Sequence, residues 1–462
     1  MKGIFRATSG EIASITGGRI IAGDENISLE TVTTDSRELG DNNLFIPITG
    51  EKFDGHDFIP ELFKSGKISC ALTMKEGFET AAAASGKSLI KCDDTLAALG
   101  KIAEFYRNRF SPLTIGITGT NGKTTTKELV YSVLSAKYNT LRNTKNYNNE
   151  IGVPFTLLQM DSSHEAAVIE MGMNHTGEIE RLSNIVQPDI AVITNVGAGH
   201  LEFLGSVENV ANAKSEILSG MKRGSTLIAN RETECFHIIE KHASEHGVRL
   251  LTFGIEPGAD FRPDSFKLTR SSVDVVYKGK KISVPLYGRH NVYNLMAAIA
   301  VAETAGVDLA DAAAKLSSFE NVGGRSEIID RGFVLINDTY NSNPLSSLYA
   351  LESVCDVFPD RKKTAVLADM KELGELAGLY HMKVGEFVAA RKFNQLLLFG
   401  DMSEYYEKGA SAAGMNPDKI KKFDSKDQIA EFLLSGLCEK DVVLVKGSRS
   451  MKMEDVVNRL IA

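Results

Sequence analysis

Six consecutive residues carry the clearest chemistry in this chain: Gly119, Thr120, Asn121, Gly122, Lys123 and Thr124. Glycines at 119 and 122 reach backbone angles closed to other residues, so a loop here can turn its N–H groups inward around an anion. A helix beginning just after the loop adds partial positive charge at the same spot. Lys123 is long enough to reach the outer phosphates of a nucleoside triphosphate. The Thr124 hydroxyl, with Thr125 beside it, stands where a phosphate-bound Mg²⁺ takes an oxygen ligand. The strict pattern wants its first glycine at position 117; this chain has Ile117 there and Gly116 one residue earlier.

The elements that must position this loop can be read around it. Residues 113–117 are a short, apolar, β-branched run that predicts a strand, and Leu129, Val130, Val133 and Leu134 recur at helical spacing after the loop. Apolar runs at 167–169, 190–193 and 227–229 alternate with helical stretches, which predicts a mostly parallel sheet. Ligands gather at the carboxyl ends of strands in such sheets, so the polar residues there matter most. Glu170 ends one strand, where its carboxylate can face phosphates and hold Mg²⁺. His200 ends a glycine-bearing loop after another and suits either a hydrogen-bonded structural residue or a ligand. Lys214, in the helical stretch 207–221, reads by itself as a surface lysine. Asn143, Asn146, Asn148 and Asn149 fall within seven residues of one loop, which suits either a self-satisfied turn or contacts to sugar and phosphate oxygens.

Length and charge bound the answer. At ~150 residues per domain, 462 residues predict about three domains. A net charge of −8, with Lys and Arg dispersed, gives no electrostatic footprint for nucleic acid or an anionic membrane. Five scattered cysteines suit reduced, mostly buried thiols. The longest apolar run, 295–302, is too short to span a bilayer, and no basic-then-apolar segment opens the chain, so a soluble cytoplasmic protein is expected.

Outside the central unit the signals are quieter. Residues 1–94 form a first unit whose most pointed stretch holds Asp35, Ser36 and Arg37, followed by Asp54, Gly55 and His56. Ser36 and Arg37 suit a diphosphate or carbonyl edge, and equally a surface turn. Residues 260–287 are strand-rich, and Asn291 suits the N-terminal cap of a small-residue helix running to 302. Gly323 and Gly324 predict a hinge. Beyond it, strands expected at 333–336, 364–368, 396–399 and 442–445 each end in a polar loop; those with Asp338 and Asn341, with Asp369, and with Lys446 and Ser448 predict a second site facing the first.

These motifs, together with the Glu170-Met-Gly172 strand end, the segment from Asn195 through Glu202, Gly288-Arg-His-Asn291, Gly323-Gly-Arg325 and the loop from Asp338 to Pro344, resemble the Mur ligase family over nearly the whole chain. Placing the first loop glycine at Gly116 is also the family's pattern. The resemblance implies an α/β protein of three domains. A small N-terminal α/β domain (1–94) would hold the UDP-sugar, a central P-loop ATPase domain (95–323) would carry a mostly parallel sheet, and a C-terminal Rossmann-like domain (324–462) would close on ATP and the amine substrate.

Asp35 to Arg37 with Asp54 to His56, the loop from Asn146 to Pro154, Asp369 to Gly374 and Lys446 to Arg449 most resemble the branch that joins D-alanyl-D-alanine to UDP-N-acetylmuramoyl-tripeptide. The branch adding diaminopimelate or lysine carries an Asp-Asn-Pro-Arg motif in its last domain, which this chain lacks. A folylpolyglutamate synthase would begin directly at the phosphate loop. A non-ligase ATP-dependent switch would leave Glu170, His200 and Lys214 without a shared metal to explain them.

The resemblance further implies ATP and Mg²⁺ as cofactors, an acyl phosphate intermediate, and a monomer that neither binds nucleic acid nor inserts into a membrane. It assigns catalysis to Lys123, Lys214, His200 and Arg325, with Lys214 adding CO₂ to become a carbamate. Metal binding goes to Thr124, Glu170 and His200. ATP contacts go to residues 119–125, Asn291, Arg325, Asp338 and Asn341. Substrate contacts go to Ser36, Arg37, Asn146, Asn149, Lys446 and Ser448.

Overall fold

The computed structural model describes residues 2–38, 42–50, 52–144, 146–320 and 326–462. Along these residues run three six-stranded sheets, with a three-stranded antiparallel sheet between the second and third. Gly323, Gly324 and Arg325, expected as hinge and catalytic cation, lie outside the described residues.

The central sheet explains why its strands read as unbroken apolar runs. Leu113–Thr118 lies at its middle, parallel to Ile190–Ile193 on one side and Ala166–Glu170 on the other. Thr226–Asn230, Arg249–Phe253 and Thr140–Arg142 complete it, all parallel. Both faces are covered, so both sets of alternating side chains are buried. Ile115, Ile117, Val168, Val192 and Ile228 pack with Leu129, Val130 and Val133 of the helix Lys123–Leu134 and with Leu295 and Ile299 of the helix His290–Thr304. Ala167, Ile169, Ala191, Ile193 and Leu227 face Leu99, Ile102, Leu182 and Val186. Each such side chain contributes about 1.5–3 kcal/mol on full burial, which pins the strand carrying the phosphate loop between two helical layers.

Two strands of this sheet were not expected from the sequence. Thr140–Arg142 is three residues long, too short to show a period, and Arg249–Phe253 is an edge strand that opens on an exposed arginine. The expected helix 207–221 is instead Val207–Ser215 followed by a single tight turn, Glu216–Leu218.

In the first sheet the order is Lys2–Thr8, Ser28–Thr33, Asn43–Phe45, Cys70–Thr73, Ser88–Lys91, Arg19–Ala22, with the two edges antiparallel. The helix Thr95–Arg107, capped by the Asp94 carboxylate on the N–H groups of Leu96 and Ala97, leads from it into the central sheet. Its Tyr106 hydroxyl donates to the Met160 carbonyl at 3.0 Å.

The third large sheet has the order Glu327–Asp330, Val334–Asp338, Asp441–Lys446, Lys362–Ala368, Gln395–Phe399, Ile420–Phe423, parallel except at its first edge. All four strands expected here are present, each a little longer than read. The apolar run 295–302 lies inside the buried helix His290–Thr304, and no helix among the described residues is long and apolar enough to cross a membrane. All five cysteines are free; Cys70 and Cys92 are buried as expected, whereas Cys438 is exposed.

Candidate active site

Parallel strands deliver their carboxyl ends to one edge, and here two such edges face each other. Asn121, Gly122, Thr125 and Asn195 from the central sheet share a cleft with Asp338, Asn341, Asn343 and Lys446 from the third. A neighbouring cleft brings Lys123, Asn146, Asn149 and His200 together with Lys371, Glu372 and Ser448.

The phosphate loop owes its shape to its glycines. Gly119 (φ 149°) and Gly122 (φ 77°) lie in the region that favours glycine, and a methyl group at either would overlap Thr194 Oγ1 or Asn294 Oδ1 respectively. Gly119→Ala is therefore expected to lose about 2 kcal/mol or more of stability, from backbone strain and overpacking together. Urea unfolding with and without ADP checks this, and an unchanged midpoint with intact ADP stabilisation would contradict it.

The N–H groups of Thr120 and Asn121 bond to the carbonyl and side-chain oxygens of Asn195, both at 2.9 Å. Gly122 starts the helix Lys123–Leu134 with no side-chain cap, the arrangement that suits an incoming anion. The Lys123 ammonium donates to the Gly119 and Thr120 carbonyls at 2.8 and 3.3 Å, so it lies over its own loop.

Glu170 is held with unusual completeness on one side and not on the other. The Asn143 side chain accepts from the Glu170 N–H at 3.0 Å and donates to the Glu170 carbonyl at 2.9 Å, replacing a missing strand partner. Asn148 Nδ2 donates to Oε1 at 2.8 Å, and Oε2 is buried without a hydrogen-bond partner. A buried carboxylate oxygen without a protein partner fits a cation, because leaving it unmatched costs several kcal/mol. No group of three or more His, Cys, Asp or Glu side chains among the described residues makes a metal site unaided. Mg²⁺ bound through one or two carboxylates plus phosphate oxygens needs no such group.

Lys214 overturns its surface reading. It is fully buried in the last turn of Val207–Ser215, and its Nζ has no hydrogen-bond partner. Burial, joined by the like charge of Lys123, holds its ammonium well below the ordinary lysine value. Only the unprotonated form of an amine is a nucleophile, and this shift favours that form.

His200 has left-handed backbone (φ 56°), and its Nδ1 lies 2.8 Å from Glu372 Oε2 of the third sheet's loops. Asp338 and Lys446 form a buried pair at 2.7 Å, and Lys446 also donates to the Asn341 carbonyl at 2.9 Å. Burial opposes the charge on Asp338, but the Lys446 ammonium outweighs it and the carboxyl stays below its ordinary range. Ser448 Oγ accepts from the Lys371 N–H at 2.9 Å, tying two strand-end loops together.

The cap reading of Asn291 needs correction, and the partners of Arg37 and Asn149 are now visible. Asn291 is not a cap: it is the second residue of its helix, and its side chain donates back to the Tyr287 carbonyl at 2.8 Å and accepts from Asn294. It supports the cleft wall from behind. Arg37 turns its guanidinium onto Asp35 at 2.8–2.9 Å with 86% of its side chain exposed, and neither it nor Ser36 lines either cleft. That pair holds the Asp35 carboxyl down to about 2. Asn149 lines the second cleft, yet its side-chain oxygen also accepts the Gly152 N–H at 2.9 Å.

Sequence reading missed several contributors. Asn343 and Asn121 exchange reciprocal amide hydrogen bonds of 2.8 and 3.1 Å across the cleft, and Asn343 also caps the helix Pro344–Val357. His290, Tyr293 and Tyr349 line the first cleft, with the Tyr349 ring centroid 6.3 Å from each of the other two, an aromatic wall on which a planar ring could stack. Burial pushes the His290 imidazole down to about 4, so it is neutral there.

Comparison with known proteins follows the same outline. The family descriptions "Mur ligase family, catalytic domain", "Mur ligase middle domain" and "Mur ligase, glutamate ligase domain" match residues 28–107, 117–302 and 324–449. A UDP-N-acetylmuramoyl-tripeptide--D-alanyl-D-alanine ligase of Bacillus subtilis (strain 168) is 34% identical over 441 residues, 95% of this chain and 94% of its own. Among solved structures, MurF from Acinetobacter baumannii superposes with a TM-score of 0.88 at 28% identity, covering 99% of each chain. The MurF ligase from Thermotoga maritima in complex with ADP gives 0.80 at 27% identity, covering 93% of this chain and 96% of that one.

Proposed function

The chain belongs to the Mur ligase family, and from that premise we propose that it is the ATP-dependent ligase that adds D-alanyl-D-alanine to UDP-N-acetylmuramoyl-tripeptide. The observation that carries the reading is the cleft itself: a nucleotide loop on one wall, charged and amide groups of the third sheet on the other, and buried, unmatched Glu170 and Lys214 beside it. The full-length relatives' name favours the dipeptide over diaminopimelate or lysine as the incoming amine. The substrates are polar and ATP is the phosphoryl donor, so the reaction belongs in the cytoplasm.

Carboxylate and amine do not condense unaided in water. The terminal carboxylate of the tripeptide attacks the γ-phosphorus of ATP, ADP leaves, and an acyl phosphate forms. The dipeptide amine, having lost its proton, attacks the acyl carbon and expels phosphate. In this reading Gly119 to Thr125 cradle the phosphates and Lys123 offsets charge that grows on the transferring group, with Arg325 as a second cation. Thr124, Glu170 and His200 would hold Mg²⁺, which when bound supplies Lewis-acid stabilisation of phosphate oxygens. Lys214 as a carbamate would complete that shell. The aromatic wall, with Asp338 and Asn341, serves adenine and ribose; Asn291 acts through Asn294.

Ser36 and Arg37, with Asn146 and Asn149, are assigned to the UDP-sugar end, and Lys446 and Ser448 to closing on ATP and the dipeptide. The three working units are 1–94, 95–323 and 324–462, in a chain that acts as a monomer. Excluding water matters because an acyl phosphate hydrolyses, so the last unit must cover the site before transfer.

The test is direct. Incubated with Mg-ATP, UDP-N-acetylmuramoyl-tripeptide and D-alanyl-D-alanine, the protein should yield ADP, phosphate and a product heavier by the dipeptide less water. With ¹⁸O in the acceptor carboxylate, label should appear in the released phosphate. Phosphate without a mass gain, or product without label transfer, would overturn the reading.

A further inference from the structure

The loop that carries His200 and the loop that follows the strand Lys362–Ala368 touch at two levels. His200 Nδ1 lies 2.8 Å from Glu372 Oε2, and the Glu202 N–H donates to the Glu372 carbonyl at 3.1 Å. A methyl group at Gly374 would come within 3.2 Å of the Glu202 Cα, so the two backbones are in contact. His200 (φ 56°) and Glu372 (φ 63°) both have left-handed backbone although neither is glycine or asparagine. Residues persist in that region only where their surroundings over-determine them, and here each supplies part of the other's surroundings. His200 lines the cleft, and the 2.8 Å approach of Glu372 to its buried Nδ1 is a charge contact that lacks hydrogen-bond alignment, with no other partner on that nitrogen.

We propose that Glu372 is a positioning residue that joins the last unit to His200, so that the imidazole is oriented for the site only while the third sheet's loops are seated against the phosphate-loop unit. The proposal rests on the ligase reading above. A carboxylate on one ring nitrogen fixes which nitrogen carries the proton and which way the ring faces, leaving the other free to bind. Glu372 contributes this from a different sheet than His200. Separation of the two loops would therefore remove the orienting carboxylate and one main-chain hydrogen bond together, and seating them would restore both. Closure and imidazole orientation are thus one event, with a coupling that works in both directions.

Two neighbouring cations are paired with carboxylates other than Glu372. Lys371 is engaged with Asp369 at 2.9 Å, and Arg449 with Glu454 at 3.1 Å.

Glu372→Ala and Glu372→Gln test this against a merely structural ion pair. Glu372→Ala should lower kcat about 10- to 100-fold with the KM for ATP little changed, and Glu372→Gln should recover part of the loss because an amide can still meet Nδ1. The readout independent of turnover is ¹⁵N NMR of the histidine side chains, with His200 assigned by its loss in His200→Gln. In the wild type, one tautomer should dominate and sharpen further with ADP and UDP-tripeptide present; in Glu372→Ala the two tautomers should mix and the ligand response should vanish. Glu372→Ala with kcat within twofold of the wild type, or His200 ¹⁵N shifts unaltered by the substitution, would overturn the proposal. A wild type that forms no amide bond overturns the ligase reading instead, and the NMR comparison still decides the role of Glu372.

Discussion

Lys123→Ala is expected to lower turnover by about 10²–10³-fold while leaving thermal unfolding and the affinity for ADP close to the wild-type values. The ammonium rests on the Gly119 and Thr120 carbonyls rather than in the core, so its removal leaves no cavity. Its service comes when a carboxylate approaches the γ-phosphate and negative charge accumulates on the transferring oxygens. An interaction made mainly then reduces kcat, whereas one made equally with bound nucleotide would appear in KM. Steady-state kinetics in both substrates, with ADP calorimetry, separates the two. A variant that joins the dipeptide at an undiminished rate would end the assignment of Gly119 to Thr124 as the phosphoryl-handling loop. The substitution also removes a like charge from Lys214, so the Lys214 ammonium should move back up toward its ordinary value.

Lys214→Met should separate stability from activity in the opposite sense. Buried without a hydrogen-bond partner, Lys214 is a liability to the fold, and an apolar side chain of similar length should raise stability by about 1–4 kcal/mol near neutral pH. Turnover should fall by 10²-fold or more if the residue completes the metal shell as proposed, on the scale of the loss from deleting one transition-state stabilising group. The sign of the pH effect follows from linkage. The folded-state value lies below that of an unfolded lysine, so between the two the unfolded chain binds more protons and stability rises with pH. Wild-type stability should therefore climb from neutral toward alkaline pH, and the variant should have a flatter profile. Urea unfolding at pH 7 and pH 9 in CO₂-free buffer measures it. Equal slopes, or a variant less stable at pH 7, would contradict the assignment of Lys214 as a buried amine without a hydrogen-bond partner. A carbamate signal from ¹³C-bicarbonate in the wild type and none in the variant would support its CO₂ chemistry.

Much of this protein is written locally. A parallel sheet covered on both faces needs continuous apolar strands, so 113–117, 190–193 and 227–229 announced themselves. A phosphate loop needs glycines at fixed offsets before a helix, and Gly119, Gly122, Lys123 and Thr124 met that need within six residues. The family resemblance rested on the same local signals. The sequence also marked Glu170 and Asp338 as strand-end carboxylates, because strand ends in such sheets are where ligands collect.

What the tertiary structure alone decided is which polar groups lose their water and which meet. Lys214 reads as a surface lysine because helical spacing does not say which turn is covered, and only packing buries it without a partner. Asn143 and Asn148 read as turn residues until the edge strand Thr140–Arg142 sets them against Glu170. Asn343 meets Asn121, and Glu372 meets His200, across 222 and 172 positions of chain respectively. Periodicity reports the environment of a residue's neighbours along the chain; it carries no information about a carboxyl end delivered from another sheet, and the cleft is built from two of them.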